Sequence, residues 1–227
     1  MKYLHDSDYR TISTESLVRF MEGREAVRDR SIVIHFDDGS RSVLEAVPIL
    51  EKYNFKAAFW IVAGKGIGGE HLEWNDIIRL SRHRNYEIYS HSLTHSWGAY
   101  GNLVDWADAK VPGRSIDDVE RELAESKRIL ETQLGRPVPY LAWPFGSYND
   151  KVISSALKVA YSALFTVDWG GANASGGDVV RVRRAYVSGH CNMDAFRKIV
   201  AEGQSLACGA ASNEDRTNAR ALGVERP

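Results

Sequence analysis

Two short stretches of the chain collect residue types that do chemistry. Residues 35–39 read His-Phe-Asp-Asp-Gly, and residues 91–95 read His-Ser-Leu-Thr-His. Adjacent carboxylates such as Asp37 and Asp38 repel one another, so a fold that holds both in one place supplies a cation or leaves one protonated. His91 and His95 are four residues apart, and on one helical turn or in a tight loop both rings can face the same ion. Joined by a carboxylate, they form a His-His-Asp set with open coordination positions, which suits a catalytic Zn²⁺ or a similar divalent ion. A structural site would be closed by four ligands, often cysteines, and neither Cys191 nor Cys208 is placed for that. Each stretch also has an ordinary reading, as a surface turn after a strand and as a pair of loop histidines.

The elements around these residues alternate in kind. Ile32, Val33, Ile34 and Phe36 are β-branched or aromatic and stop at a turn signal, so 32–36 reads as a short buried strand. Further strands are expected over 56–63, 86–89, 139–143, 162–167 and 179–187. Helices are expected over 11–29 (capped by Thr14), 41–53 (kinked at Pro48), 74–84, 116–134, 149–159 and 193–202. Ser115 and Asp118 resemble a capping box, and Gly135 closes the longest helix. Residues 96–114 read as irregular. The glycines after residue 63 lack the Gly-Lys-Ser/Thr ending of a phosphate loop.

Alternating strands and helices imply a parallel sheet or a (β/α) barrel. Asp37 and Asp38, His91, Phe145 and Gly146, Asp168 and Trp169, and His190 each follow the end of an expected strand. In a barrel that face carries the active site, with residues contributed by several strands. Such convergence is hard to explain as packing.

Composition narrows the function classes. The chain has 227 residues, 44% of them hydrophobic, enough for a sizeable core in one α/β barrel. A net charge of −1 gives no ground for nucleic-acid binding or a polybasic membrane patch. No apolar run approaches the ~18 residues of a membrane span, and Met1–Arg10 has no signal-peptide core. Two cysteines are too few for a disulfide framework and say little about redox compartment. From Gln204 onward the chain is polar and weakly patterned, which reads as a loose tail over 204–227.

His-Phe-Asp-Asp-Gly, followed about fifty residues later by His-Ser-Leu-Thr-His, resembles the polysaccharide deacetylases, the NodB-homology enzymes of carbohydrate esterase family 4. The resemblance runs over about residues 1–203, which would form the catalytic domain. It implies an irregular, incomplete (β/α) barrel that removes acetyl groups from sugars with a divalent metal. It further implies Asp38, His91 and His95 as metal ligands and Asp37 as general base. Phe145 would supply a backbone N–H to the oxyanion, His190 would be the acid, Asp168 would tune that acid, and Trp143 and Trp169 would contact substrate. The metal implied is Zn²⁺, with Co²⁺ and Ni²⁺ also accepting these ligands.

The chemistry agrees with that allocation. An acetamide is a poor electrophile, needing an activated water and a stabilised oxyanion, and a divalent metal serves both. Successive side chains leave a strand end in different directions, so Asp37 is free to take the proton of the water while its neighbour ligates. The leaving amine must then gain a proton, and an imidazole titrates near working pH.

The third family motif usually reads Arg-Pro-Pro-Tyr-Gly, whereas here Ala142 leads Trp-Pro-Phe-Gly146. The arginine that normally holds the base is therefore missing at Ala142. The variant is more like the branch acting on poly-β-1,6-N-acetylglucosamine, a biofilm polysaccharide, than the peptidoglycan or chitin deacetylases. The last motif is usually Leu-His-Asp and here reads Ser-Gly-His-Cys, so His190 is either the acid or an ordinary loop histidine. His35, within the first strand, reads as a core or supporting residue. The leading expectation is thus a metal-dependent N-deacetylase acting on an acetylated polysaccharide outside the cytoplasm. Two others stand beside it: an amidohydrolase of the same fold opening a cyclic amide or ureide, and a glycan-binding module with impaired chemistry.

Overall fold

The computed structural model describes residues 1–65, 69–168, 172–206 and 208. Its elements run α1 (Lys2–Asp6), β1 (Arg10–Thr11), α2 (Thr14–Met21), β2 (Ser31–Ile32), β3 (His35–Phe36), α3 (Val43–Lys52), β4 (Ala57–Ile61) and α4 (Trp74–Ser81). They continue with β5 (Tyr86–Ser90), α5 (Leu103–Ala107), α6 (Ile116–Leu134), β6 (Tyr140–Ala142), α7 (Asp150–Lys158), β7 (Ala163–Phe165) and α8 (Met193–Glu202). Five parallel strands form one sheet in the order β3-β4-β5-β6-β7. Each new strand joins the same edge, without the reversal of strand order that marks a doubly wound sheet. The sheet accordingly curls into an incomplete (β/α) barrel and directs every strand's C-terminal end to one rim. β1 and β2 make a separate two-stranded parallel sheet.

β4 explains why the centre holds. All five of its residues are buried, as expected of a parallel strand covered on both faces. Helix α6 covers part of the outside through Val119, Leu123 and Leu130, which recur at helical spacing and are fully buried. Each such side chain contributes roughly 1.5–3 kcal/mol through burial. The helix begins at the Ser115–Asp118 capping box and stops at Gly135, whose φ of 65° suits a residue without a Cβ. Among the described residues no helix is long and apolar enough to cross a membrane.

Several local expectations are corrected. The cap of α2 is Ser13, whose side chain accepts from Ser16 N–H, and Thr14 is already helical. Strand 32–36 is split, because Ser31 and Ile32 pair with β1 while His35 and Phe36 pair with β4. Residues 96–114 contain α5, started by a capping box between Asn102 and Asp105. The expected strand 179–187 is a short 3-10 turn, Val179–Arg181, followed by a single parallel bridge from Val182 to Phe165. Three arginines at 181, 183 and 184 break the apolar run that a buried strand requires. Beyond α8 the chain is tied down: Ser205 is buried and accepts from Tyr186 N–H at 2.7 Å, and Cys208 is disulfide-bonded to Cys191. Residues 207 and 209–227 lie outside the described residues.

Candidate active site

The two carboxylates sit on a turn that the backbone makes tight. Directly after β3, Asp38 and Gly39 both take left-handed conformations, with φ of 66° and 64°. A Cβ at Gly39 would lie 3.2 Å from Ile61 Cδ1, so the turn packs against the end of β4. Leu72 N–H donates to the Gly39 carbonyl at 2.8 Å and pins the turn from outside.

The histidines come from the neighbouring strand end. His91 N–H donates to the Ile61 carbonyl at 2.8 Å, continuing the β4–β5 pairing by one residue. Ser92 (φ 65°) and His95 (φ 54°) then curl the chain back, conformations that cost on the order of 1–3 kcal/mol each. Ser92 Oγ accepts from His95 N–H at 3.1 Å, while Ala63 and Gly64 N–H donate to the Ser92 and Leu93 carbonyls. This loop, not a helical turn, is what brings the two rings together.

The resulting donor set fits one cation. Asp38 Oδ1 lies 3.3 Å from His91 Nε2 and 3.1 Å from His95 Nε2, and the three donor atoms all fall within 4.8 Å of one another. Donors bonded at about 2.0–2.1 Å to a tetrahedral ion are separated by roughly 3.3 Å. His91 Nδ1 is 2.8 Å from the Ala142 carbonyl, which only accepts. When the ring is neutral its proton therefore sits on Nδ1, which leaves the Nε2 lone pair for a cation, whereas a doubly protonated ring donates from Nε2 to Asp38. Both rings are largely buried, whereas the Asp38 side chain is 52% exposed, so the set opens to solvent on the carboxylate side. Burial alone would raise the Asp38 carboxyl, but hydrogen bonding and charge from His91 and His95 outweigh it and hold it well below the usual range.

Asp37 turns away to a different partner. Arg184 donates from Nη1 to Asp37 Oδ1 at 2.7 Å and from Nη2 to Oδ2 at 2.9 Å. Burial pulls this carboxyl upward too, but the Arg184 charge, followed by His91, prevails and lowers it. Arg184 is itself fixed by Nε donating to the Thr166 carbonyl at 3.1 Å and by its guanidinium standing 5.6 Å from the Trp60 ring centre. Trp60 Nε1 donates to His35 Nδ1 at 2.6 Å. Burial and then the Arg184 charge push His35 down to about 3, so it stays neutral as an acceptor. Position 142 is alanine, and the guanidinium that pairs with Asp37 comes from a distant segment. Sequence reasoning missed Arg184 because its only signal is a basic residue where an apolar strand was expected.

The remaining candidates separate into those near the donors and those elsewhere. Phe145 has φ 57° on a short turn, Pro144–Gly146, and its ring lies 4.3 Å from His95. Gly146 is required there, since a Cβ would sit 2.1 Å from Val167 Cγ2. Trp97, which the sequence did not single out, packs its ring 4.4 Å from Phe145. Trp143 is fully buried with the apolar faces of α6 and α7, so it backs the rim and presents no face to a substrate. Trp169 lies outside the described residues. Asp168 accepts from the Tyr148 hydroxyl, which the sequence did not anticipate. His190 is exposed, and its N–H donates to Ser188 Oγ at 3.2 Å.

A family model described as polysaccharide deacetylase matches residues 24–164. The chain belongs to the polysaccharide deacetylase family. YxkH of Bacillus subtilis (strain 168) is 25% identical over 197 residues, which cover 86% of this chain and 65% of YxkH. A protein of Escherichia coli (strain K12) named poly-beta-1,6-N-acetyl-D-glucosamine N-deacetylase is 22% identical over 204 residues, 76% of this chain and 30% of that protein. This polysaccharide deacetylase therefore spans less than two thirds of each curated relative. IcaB from Ammonifex degensii superposes with a TM-score of 0.74 at 23% identity, covering 88% of this chain and 84% of the other. That likeness establishes the shared fold.

Proposed function

We propose that the protein is a metal-dependent N-deacetylase of an N-acetylglucosamine polymer, with poly-β-1,6-N-acetylglucosamine as its substrate. The observation that carries this reading is the fork from Arg184 to Asp37 beside the Asp38, His91 and His95 donors. Asp38, His91 and His95 would hold a divalent cation, Zn²⁺ in this reading, which when bound would supply Lewis acidity and lower the pKa of water toward ~7. Asp37, kept ionised by Arg184, accepts the proton of the attacking water. Phe145 N–H, on the left-handed turn beside His95, donates to the oxyanion. His190 returns a proton to the leaving amine. Trp97 and Phe145 offer aromatic faces to the sugar.

Two features support a polymer handled outside the cytoplasm. The carboxylate side of the donor set is open, which suits a chain lying across the rim better than a small cyclic amide enclosed in a pocket. The Cys191–Cys208 disulfide suits an oxidising compartment. A glycan-binding module with impaired chemistry was favoured only by the lack of an arginine at Ala142, and Arg184 removes that ground. The test is acetate release from a β-1,6-linked N-acetylglucosamine oligomer, with and without chelator, beside a β-1,4-linked oligomer. Chelator-sensitive release favouring the β-1,6 oligomer is expected. Undiminished release after chelation overturns the metal role, and equal release from both oligomers overturns the linkage.

A further inference from the structure

Helix α6 carries one charged residue on its buried face. Val119, Leu123 and Leu130 on that face are apolar, but Glu122 among them is only 6% exposed. Among the described residues no lysine or arginine lies within ion-pair distance of it. A buried carboxylate without a cation is costly unless hydrogen bonds replace its water. Here they do, and all of them come from one place. Glu122 Oε1 accepts from Leu93 N–H at 3.1 Å, from Thr94 N–H at 2.6 Å and from Thr94 Oγ1–H at 2.9 Å.

Leu93 and Thr94 lie between His91 and His95. The carbonyls of Ser92 and Leu93 are already taken by Ala63 and Gly64 N–H on the opposite side, and Ser92 Oγ takes His95 N–H. Glu122 therefore satisfies the two remaining amide donors between the histidines, and it does so across 28 and 29 positions of sequence. One turn further along α6, Ser126 Oγ is 2.7 Å from Ser90 Oγ, which accepts from Ser92 N–H at 3.3 Å. The loop is gripped from α6 on one side and from the end of β4 on the other.

We propose that Glu122 is a positioning residue that sets the spacing of His91 and His95 by clamping the loop between them. This rests on the reading of those histidines as metal ligands. Without the clamp the loop keeps its two left-handed residues, Ser92 and His95, but loses the three hydrogen bonds from α6 that oppose their relaxation. The two imidazoles then no longer converge in the resting protein, and the cation must reorganise them.

The test is competitive Zn²⁺ titration against a chromophoric chelator, on protein whose fold is checked by near-ultraviolet circular dichroism. Glu122→Ala is expected to weaken Zn²⁺ binding by roughly 10–100-fold, the range seen when supporting partners of metal ligands are removed. Acetate release should then fall in kcat with little change in KM. Glu122→Gln, which keeps an acceptor oxygen in place, should recover most of the affinity. Val119→Ala, on the same helix face but away from the loop, should lower thermal stability and leave Zn²⁺ affinity intact. A folded Glu122→Ala protein with wild-type affinity overturns the proposal, as does an equal loss in Val119→Ala. Should Glu122→Ala not fold, Glu122→Asp carries the same test, since it withdraws the oxygen by one methylene: weaker binding supports the clamp and unchanged binding overturns it. Wild-type protein that binds no Zn²⁺ refutes the metal reading as well, whereas normal wild-type binding with unaltered variants refutes the clamp alone.

Discussion

Arg184 grips Asp37 through two parallel hydrogen bonds, of 2.7 and 2.9 Å, although 147 positions separate them. A planar fork of this kind fixes the orientation of a carboxylate as well as its charge. Replacing Arg184 by methionine keeps the stem but frees the base, so kcat should fall by about 10²-fold while Zn²⁺ binding persists. Asp37 must be ionised to accept a proton, and Arg184 is the leading opponent of its burial. Loss of that charge raises its pKa, so the acid limb of the kcat/KM profile should move to higher pH than in wild type. An unmoved acid limb would show that Asp37 is not the group it reports. Because Asp37 is partly exposed, the stability cost should be about 1–3 kcal/mol, below that of a sealed pair. Adding Asp37→Asn should recover part of that loss.

Asp37 and Asp38 are neighbours with different duties, and substitution should separate them. Asp37→Asn should retain Zn²⁺ while losing ~10²–10⁴-fold in kcat. Asp38→Ala and His91→Ala should lose the ion and the activity together. Metal content by elemental analysis beside acetate release distinguishes these outcomes. Full activity in Asp37→Asn would remove Asp37 from the reaction.

His35 gives the fold a specific acid sensitivity. Burial and then the Arg184 charge push its pKa in the folded state down to about 3, against an ordinary value of 6.5. Between those values the unfolded chain binds a proton that the native state excludes, so unfolding becomes easier as pH falls. The slope is up to about 1.4 kcal/mol per pH unit, and above the unfolded value the contribution is flat. His35→Asn keeps an acceptor for Trp60 Nε1 but does not titrate. Urea unfolding from pH 4 to 7 should therefore give a flatter profile for the variant, and parallel profiles would contradict the burial of a neutral ring.

The disulfide fastens the segment after α8. Cys208→Ser should free Ser205 from the Tyr186 amide and lower stability by up to about 3 kcal/mol, the loop-closure value for a separation of this size. Thermal unfolding, with thiol labelling of wild type before and after reduction, tests this. Wild-type protein that labels without reductant would show that the bond does not form.

How much of this was legible in the sequence depended on how local each signal is. The candidate ligands and the candidate base declare themselves because Asp37, Asp38, His91 and His95 fall in two compact motifs at strand ends. Helix α6 declares itself because its caps and its apolar positions lie within one continuous segment. Arg184 did not, since its partner is chosen by the curl of the sheet and not by neighbouring residues. Glu122 was hidden for a similar reason: on a charge-rich helix nothing in the spacing distinguishes a buried carboxylate from a solvated one. Trp143 was misread because a strand-end tryptophan can face the rim or the core, and here the packing of α6 and α7 takes it inward. The two cysteines, 17 positions apart, gave no indication of pairing until the chain beyond α8 was seen to return to its own start.

The region matched to the family ends at residue 164, yet the guanidinium that holds Asp37 is at 184. A fragment excised at the similarity border would inherit all three candidate cation ligands and leave Asp37 without its counterweight. On the proposed reading such a piece would hold an ion without hydrolysing an amide. Anyone grafting this chemistry onto another scaffold has to carry positions 37 and 184 as a single heritable unit.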